Sequence, residues 1–587
     1  MPQKRVAVID RELCNPKMCD WYLCQRVCPV NRMEKGCITT SELDRKPLIA
    51  EELCIGCGIC CKKCPAFAID VVNLPTQLDE PPVHRYGRNK FVLFRLPTPQ
   101  KGSVVGLVGQ NGTGKSTVMN ILSGSLKPNS GEAESGSWEI ILERFKGTEM
   151  HNYLSLLAQK KLKAAYKPQH VDRIPELYKG KVSSHLVASK DVVERLGISH
   201  MLDKDIKSLS GGELQLFAIA ATMAKEAEFF FFDEPSSYLD VFQRLKVARE
   251  IRSLAENKYV MVIEHDLAVA DYLADTVHIL FGKPGVFGIV SQPYTVRAGI
   301  NTLLEGFIPE ENVRFRDEPI RFAARAKDAA KHKRFMDFPA LEKSFAGFSM
   351  GTAAGTLHWG EVIGILGPNA TGKTTFIRML AGEEKPDNGV DIPAMKLAYK
   401  PQRLTLENGE VEMLVRDYLS LKSGKESFSR EEKHITFLLG LEKLQERQMG
   451  RLSGGELQSV FIAVALIKDA NIVLLDEPSA FLDVEQRLRV AKLIRARAEL
   501  METPCFVVDH DLQFLDIISD RVIVFEGVPG RTGHALAPCA LEEGMNKFLK
   551  DVGITFRRDK ESGRARVNKP GSQKDMEQKH GGKYFYG

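Results

Sequence analysis

One ordered series of short motifs occurs twice along the 587 residues, and this repeat constrains the fold more than any other feature. A glycine-rich loop reads Gly109-Gln110-Asn111-Gly112-Thr113-Gly114-Lys115-Ser116-Thr117, and again Gly367-Pro368-Asn369-Ala370-Thr371-Gly372-Lys373-Thr374-Thr375. YKPQ follows, ending at Gln169 and Gln402, and then LSGGELQ, starting at Leu209 and Leu452. An apolar run closes on Asp233-Glu234 and on Asp476-Glu477, and each series ends at Glu264-His265-Asp266 or Asp509-His510-Asp511. The LSGGELQ serine and the aspartate of the apolar run lie 23 residues apart in both halves, Ser210 to Asp233 and Ser453 to Asp476. Each glycine-rich loop follows an apolar strand-like run and opens a helix-like one, the context in which such loops bind phosphate. The apolar runs at 228–232 and 472–475 are too short for a membrane span and predict buried parallel strands. Two α/β domains of one plan are expected, in a chain long enough for three or four domains.

Phosphate chemistry gives each motif a task. Glycines let backbone N–H groups fold around phosphates, and the helix start adds its dipole. Lys115 and Lys373 are candidates to neutralise the β- and γ-phosphates, and the Ser116 and Thr374 hydroxyls to bind Mg²⁺. Asp233 and Asp476 would supply its carboxylate, directly or through water. Glu234 and Glu477 stand where a general base polarises the attacking water. Gln169 and Gln402 can reach both metal and water, and His265 and His510 can contact the γ-phosphate. Any one of these alone reads as a solvated turn; the complete ordered set reads as two ATP-hydrolysing sites. Tyr86 and Phe345, 23 and 22 residues before Gly109 and Gly367, are candidates to stack on adenine, or else packing residues.

LSGGELQ resembles the signature of ABC-type ATPases. The resemblance implies that Ser453, Gly454, Gly455 and Glu456 close over nucleotide on the Lys115 loop. Ser210, Gly211, Gly212 and Glu213 would close over nucleotide on the Lys373 loop. ATP would then join the halves and hydrolysis release them.

Ten of the twelve cysteines lie within the first 64 residues, a clustering that in a cytosolic chain favours metal over disulfides. Cys54, Cys57, Cys60 and Cys64-Pro65 match the bacterial ferredoxin spacing, in which the fourth thiolate ligates the other cluster. Cys14, Cys19, Cys24 and Cys28-Pro29 repeat it with wider gaps. Crossing the fourth ligands assigns Cys14, Cys19, Cys24 and Cys64 to one [4Fe–4S] cluster and Cys28, Cys54, Cys57 and Cys60 to a second. Two zinc sites are the competing reading, but zinc modules pair C-x2-C knuckles. Cys37 and Cys61 are left over as structural thiols, and a structural role for the clusters is favoured over electron transfer.

The formal charge of +5 is unevenly spread. Residues 550–587 hold ten basic against five acidic residues, and 312–334 eight against three. These segments read equally as solvated linkers or as contacts for a polyanion, RNA foremost. The N-terminus shows no apolar leader, so a cytoplasmic location without a membrane is expected. The first half carries 25 extra residues between the glycine loop and the glutamine, within about 136–163, where helical spacing predicts a helix–loop–helix. That insertion reads as a surface hairpin or as a docking element. The expected layout is a ferredoxin-like (α+β) head at 1–75, the first α/β domain at 76–305 and a hinge at 306–337. The second α/β domain follows at 338–538, then a basic tail at 539–587.

The cysteine-rich head, the twin ABC domains, the insertion and the basic hinges, with CIGCGIC, NLP and GRARVNKPGS, together resemble the ABC-E subfamily. This is the RNase L inhibitor family of ribosome-recycling ATPases. The resemblance implies a monomer with ATP, Mg²⁺ and two [4Fe–4S] clusters that splits ribosomes after termination or stalling. Its implied partners are small-subunit rRNA and protein, a release factor or its Pelota-like relative, and initiation factors. The alternative from another class is a redox-coupled or iron–sulfur-assembly ATPase.

Overall fold

The computed structural model describes residues 5–74, 80–131, 136–186, 190–322, 333–391 and 395–586. Part of the charged stretch expected at the first hinge, 323–332, lies outside them. The chain forms two compact units. One comprises Met1–Pro235, Glu250–His265 and Leu273–Pro319, and the other Ser236–Arg249, Asp266–Tyr272 and Ile320–Gly587.

Each unit is built on a nine-stranded mixed sheet, and the two sheets have the same strand order. In the first, Val104–Gly109 lies between parallel neighbours Tyr259–Ile263 and Thr276–Lys283, with Phe229–Asp233 and Ala164–Lys167 continuing the sheet. In the second, Val362–Leu366 lies between Cys505–Val508 and Arg521–Glu526, followed by Ile472–Asp476 and Leu397–Lys400. Every residue of Phe229–Asp233 and Ile472–Asp476 is buried, which is why these runs are apolar throughout rather than alternating. Register then builds the site. Asp233 pairs with Ile263 and Asp476 with Val508, so the acidic pairs and the histidine motifs leave the sheet at the same edge. The glycine loop leaves there too, since Gly109 pairs with Leu280. Ligands of open α/β sheets bind outside the carboxyl ends of their strands.

Within the first unit the head pairs Arg5–Ile9 antiparallel with Ile69–Asn73, and Ile38–Thr40 with Pro47–Ile49, around short helices Leu23–Val27 and Ile59–Lys63. Its small core is largely thiol, with Cys24, Cys28, Cys37, Cys54 and Cys60 buried beside Ile9, Ile49 and Ile69. Asn89, itself buried, ties this head to the sheet. Its amide nitrogen donates to Ala7 O and Ile49 O, and its Oδ1 accepts from Ile49 N. Arg85 adds a two-pronged pair to Glu51 at 2.9 and 2.5 Å.

The insertion forms helices Trp138–Arg144 and Glu149–Ala158, capped by the side chains of Ser137 and Thr148. Ile141, Met150, Tyr153, Leu154 and Leu157 join the core of the first sheet, and the Tyr153 hydroxyl donates to Leu122 O at 2.5 Å. Ile140 and Leu156 face outward. The insertion is therefore a layer of the core with one solvent face, not a surface hairpin.

In the second unit the tail folds as a hairpin, Phe556–Arg558 with Ala565–Val567, and a helix, Gln573–His580. Much of its positive charge is internal. Arg566 grips Asp271 at 2.6 and 2.9 Å, the buried Arg564 lies 3.6 Å from the same carboxylate, and Arg558 pairs with Asp516. Solvent-facing cations remain at Lys560, Lys569 and Lys574. Among the described residues no helix is long and apolar enough to cross a membrane.

Leu154→Ala should destabilise the first unit by about 2–5 kcal/mol, through lost burial and a residual cavity. Leu156→Ala should change stability by no more than about 0.5 kcal/mol. Thermal melting of the two variants checks this, and equal shifts would contradict the core assignment of the insertion.

Candidate functional site

Each glycine loop wraps its lysine. Gly114 and Gly372 hold φ of 102° and 96°, and there a Cβ would fall 2.7 Å from the Phe91 ring or 2.6 Å from Met350 Sδ. Helices Lys115–Leu122 and Lys373–Leu380 begin directly after them. The Lys115 ammonium donates to Gly109 O at 2.9 Å, Gln110 O at 3.1 Å and Asn111 Oδ1 at 3.2 Å. Lys373 donates to Gly367 O at 2.9 Å and Pro368 O at 2.6 Å, and burial pushes its ammonium down to about 8. Both ammonium groups are thereby aimed at the cradle that phosphate oxygens would occupy.

The acidic pairs have one geometry in both units. Glu234 and Glu477 take φ of 47° and 49°, a left-handed conformation that is uncommon for a residue with a side chain. Gln169 Nε2 donates to Glu234 Oε1 at 2.6 Å, and Gln402 Nε2 to Glu477 Oε1 at 2.6 Å. His265 Nε2 lies 3.6 Å from Glu234 Oε1, and His510 Nε2 lies 3.5 Å from Glu477 Oε1. Burial holds the His510 imidazole well below its usual value, helped by Lys373 and Arg244, so it is neutral. The carboxyls move upward: Asp233 to about 7, through burial and then Glu234, and Asp476 and Glu477 through burial above all. Two carboxylates at the buried end of a strand beside a lysine suit a divalent cation. Asp476 fits that purpose, because its buried oxygens find no donor at regular hydrogen-bond geometry among the described residues, with the Thr374 hydroxyl beside them.

Several contributors to this geometry are invisible in a motif reading. Lys167, entirely buried, donates to Asp233 O at 2.8 Å and Glu234 O at 3.2 Å. Lys400 donates to Asp476 O at 2.7 Å and Glu477 O at 3.1 Å. The last residue of LSGGELQ also reaches the glutamate carbonyl, Gln215 to Glu234 O at 2.7 Å and Gln458 to Glu477 O at 2.8 Å. Both families of residues recur at the same letter of the same motif in the two halves, the lysine of YKPQ and the last glutamine of LSGGELQ, and that recurrence was the available signal. Asp509 accepts from Ser479 N and Oγ at 3.0 and 2.7 Å, tying the histidine motif to the loop after Glu477.

Ser210 and Ser453 cap the helices Gly211–Met223 and Gly454–Ile467, with Glu213 and Glu456 closing capping boxes. Glu213 also pairs with Lys204 at 2.7 Å. Both serines are exposed, so their helix tips are open to an incoming group. Tyr86 is half-exposed, with its hydroxyl 3.2 Å from Thr117 Oγ1 in the glycine loop. Phe345 is equally exposed, with the Lys343 ammonium 5.6 Å over its ring. Tyr86 falls between Arg85 and Asn89, the two residues that fasten the head.

In the head, Cys14, Cys19, Cys24 and Cys64 line one cavity. Cys28, Cys54, Cys57 and Cys60 line another, with Cys37. These are the two quartets expected from crossed ferredoxin ligation. Among the described residues no three His, Cys, Asp or Glu side chains converge on a point that would hold a single ion. Thiols spread around a cavity fit a multi-iron cluster. Burial pushes Cys14 up to about 11 and Cys24 up to about 12, so thiolates there call for cationic partners.

The ABC transporter family model matches residues 98–237 and 351–480, and a model described as a possible Fer4-like domain in RNase L inhibitor matches 5–36. An uncharacterised ABC transporter ATP-binding protein of Methanocaldococcus jannaschii is 49% identical, the alignment spanning 99% of this chain and 97% of the relative. A solved structure titled as a model of ribosome-bound archaeal Pelota and ABCE1 aligns with TM-score 0.96 at 50% identity, covering 100% of both chains. The archaeal ribosome recycling factor aABCE1, solved in complex with the ribosomal stalk protein aP1, aligns with TM-score 0.80 at 48% identity, over 87% of this chain and 99% of that one. With two matching phosphate sites on twin sheets and a cysteine-lined head in front of them, this chain belongs to the ABC-E, or RNase L inhibitor, family of ribosome-recycling ATPases.

Proposed function

We propose that this protein hydrolyses ATP at two sites and uses the cycle to separate ribosomal subunits after termination or stalling. The observation that carries the hydrolytic part is the duplicated arrangement of glutamine, left-handed glutamate and histidine, with matching distances in the two units. The ribosomal part is supported by the full-length likeness to a recycling factor, and by the ribosome, Pelota and stalk protein with which those relatives are described.

In this reading Lys115 and Lys373 exchange their loop carbonyls for β- and γ-phosphate oxygens. Ser116, Gln169 and Asp233 hold Mg²⁺ at one site, and Thr374, Gln402 and Asp476 at the other. The bound cation neutralises charge developing on the transferred phosphoryl group. Glu234 and Glu477 polarise the attacking water, which the glutamine amide and the histidine orient. The Ser210 and Ser453 helix tips each close over triphosphate held by the loop of the other half, so that occupancy becomes motion. Adenine on Tyr86 bears on a loop whose flanking residues, Arg85 and Asn89, grip the head. Eight cysteines hold two [4Fe–4S] clusters that stiffen the head, which pushes on a release factor or Pelota-like factor. The protein then stays on the small subunit until hydrolysis. Cosedimentation with small subunits should require a non-hydrolysable ATP analogue, and equal sedimentation without nucleotide would refute the ATP-gated clamp.

Replacing both glutamates, Glu234→Gln with Glu477→Gln, should lower turnover by about 10²–10⁴-fold while ATP stays bound, because water activation is lost and phosphate contacts are kept. Steady-state turnover and nucleotide retention on a desalting column check it. Undiminished turnover would remove the assignment. Cys54→Ser should take bound iron from about eight atoms per chain to about four, one cubane being lost. Iron analysis with the visible absorbance near the thiolate-to-iron band reads this out, and full retention of iron would contradict the ligand set.

A further inference from the structure

Both halves continue past the acidic pair with the same five letters, Asp240-Val-Phe-Gln-Arg244-Leu and Asp483-Val-Glu-Gln-Arg487-Leu sharing Asp, Val, Gln, Arg and Leu. The phosphate chemistry above uses neither arginine. In the second unit Arg244 makes three contacts. Its Nε donates to Leu239 O at 2.8 Å, and its Nη1 donates to Asp266 Oδ2 at 2.6 Å and to His510 O at 3.3 Å. Arg487 repeats the first two, donating to Leu482 O at 2.9 Å and Asp511 Oδ2 at 2.8 Å. Both guanidinium groups are largely buried. Asp266 and Asp511 are the residues that follow the histidines His265 and His510, and Leu239 and Leu482 close the loops that follow the acidic pairs.

The loop that Arg244 holds has its own outlet. Asp240 Oδ2 accepts from Asn369 N at 2.9 Å, and Tyr238 O accepts from Asn369 Nδ2 at 3.2 Å. Asn369 belongs to the second glycine loop. Tyr238 and Phe481, both at positive φ, pack edge to face with ring centres 5.7 Å apart, so the two loops meet there. Contacts of Arg244 therefore reach the residue after the first histidine, the loop that touches the second phosphate cradle, and the carbonyl of the second histidine. A planar guanidinium with donors in a fixed fork transmits a shift of one partner to the others, which a flexible ammonium does less well.

We propose that Arg244 is a positioning residue that couples the two ATP sites, relaying displacement of the His265–Asp266 segment at the first site to Asn369 and His510 at the second. Arg487 clamps the matching segments of the second half. This inference rests on the two-site ATPase reading, and Arg244 acts through the three protein groups it holds, Leu239 O, Asp266 Oδ2 and His510 O.

The test is additivity of turnover in the full-length protein. Sites that act independently give Glu234→Gln and Glu477→Gln turnovers that sum to that of the parent. Coupled sites should depart from that sum by about fivefold or more, the usual size of a coupling between sites. Placed on Arg244→Ala, the same comparison should become additive within about twofold. Arg244→Lys keeps a buried cation against Asp266 and guards against misfolding of the alanine variant; it should also show additive turnover, because a single ammonium cannot serve all three partners. An undiminished departure in Arg244→Lys with a parent-like melting midpoint would overturn the proposal, as would additivity in the parent. Should the two glutamine variants and their combination all turn over ATP like the parent, it is the ATPase assignment that falls.

Discussion

The structure depends on a strained turn held from both sides. At Glu234 and Glu477 the chain leaves a fully buried strand and enters the left-handed region, which costs about 1–3 kcal/mol for a residue with a side chain. The carbonyl at that turn would be orphaned inside the protein, but a buried lysine and the glutamine of LSGGELQ both donate to it. The carboxylate on its other side accepts from the YKPQ glutamine. Two separate motifs, YKPQ through its lysine and its glutamine and LSGGELQ through its glutamine, thus converge on one residue, and leaving any of those buried groups unpaired would cost about 1–3 kcal/mol. Strain that is over-determined in this way aims the carboxylate at one place and keeps it there. The same turn occurring twice, with distances that agree, argues that both sites are built for one task.

Around that turn, charge is arranged so that little of it is in water. Lys373 and Lys400 are pushed down to about 8 by burial, while Asp476 and Glu477 are pushed up for the same reason. Opposed shifts of this kind suit the proposed site, since a triphosphate with its metal would supply what each side lacks. The tail follows a related logic. By composition it is a basic segment, yet Arg558, Arg564 and Arg566 turn inward to Asp516 and Asp271. Those cations are structural, whereas lysines along the tail such as Lys560 and Lys569 face solvent.

The head illustrates how a small core is completed by chemistry. About half of its core residues are thiols, so apolar burial alone gives it little cohesion, and a bound cluster would supply the rest. Asn89 and Arg85 then fasten it through five short hydrogen bonds to the loop that carries Tyr86. A group stacked on Tyr86, as proposed for adenine, would act on a segment already in contact with the head and would give nucleotide binding a direct mechanical outlet.

Much of this was legible in the residues. Repetition of motifs in the same order named the two sheets, the glycine loops, the acidic pairs and the histidines, because phosphate chemistry tolerates few residue types at those positions. The two cysteine quartets followed from spacing, since a cubane restricts which thiols share a face. Tertiary structure alone decided the rest. Local periodicity shows that the insertion has an apolar face but not what covers it, and the first sheet does so through Leu154 and Tyr153. Net charge cannot show which arginines face inward, because that depends on carboxylates nearly 300 residues away in sequence, as with Arg566 and Asp271. Nor could Lys167, Lys400 or Arg244 be assigned tasks from sequence, for each acts on backbone carbonyls, and a carbonyl has no identity until the fold brings it within reach.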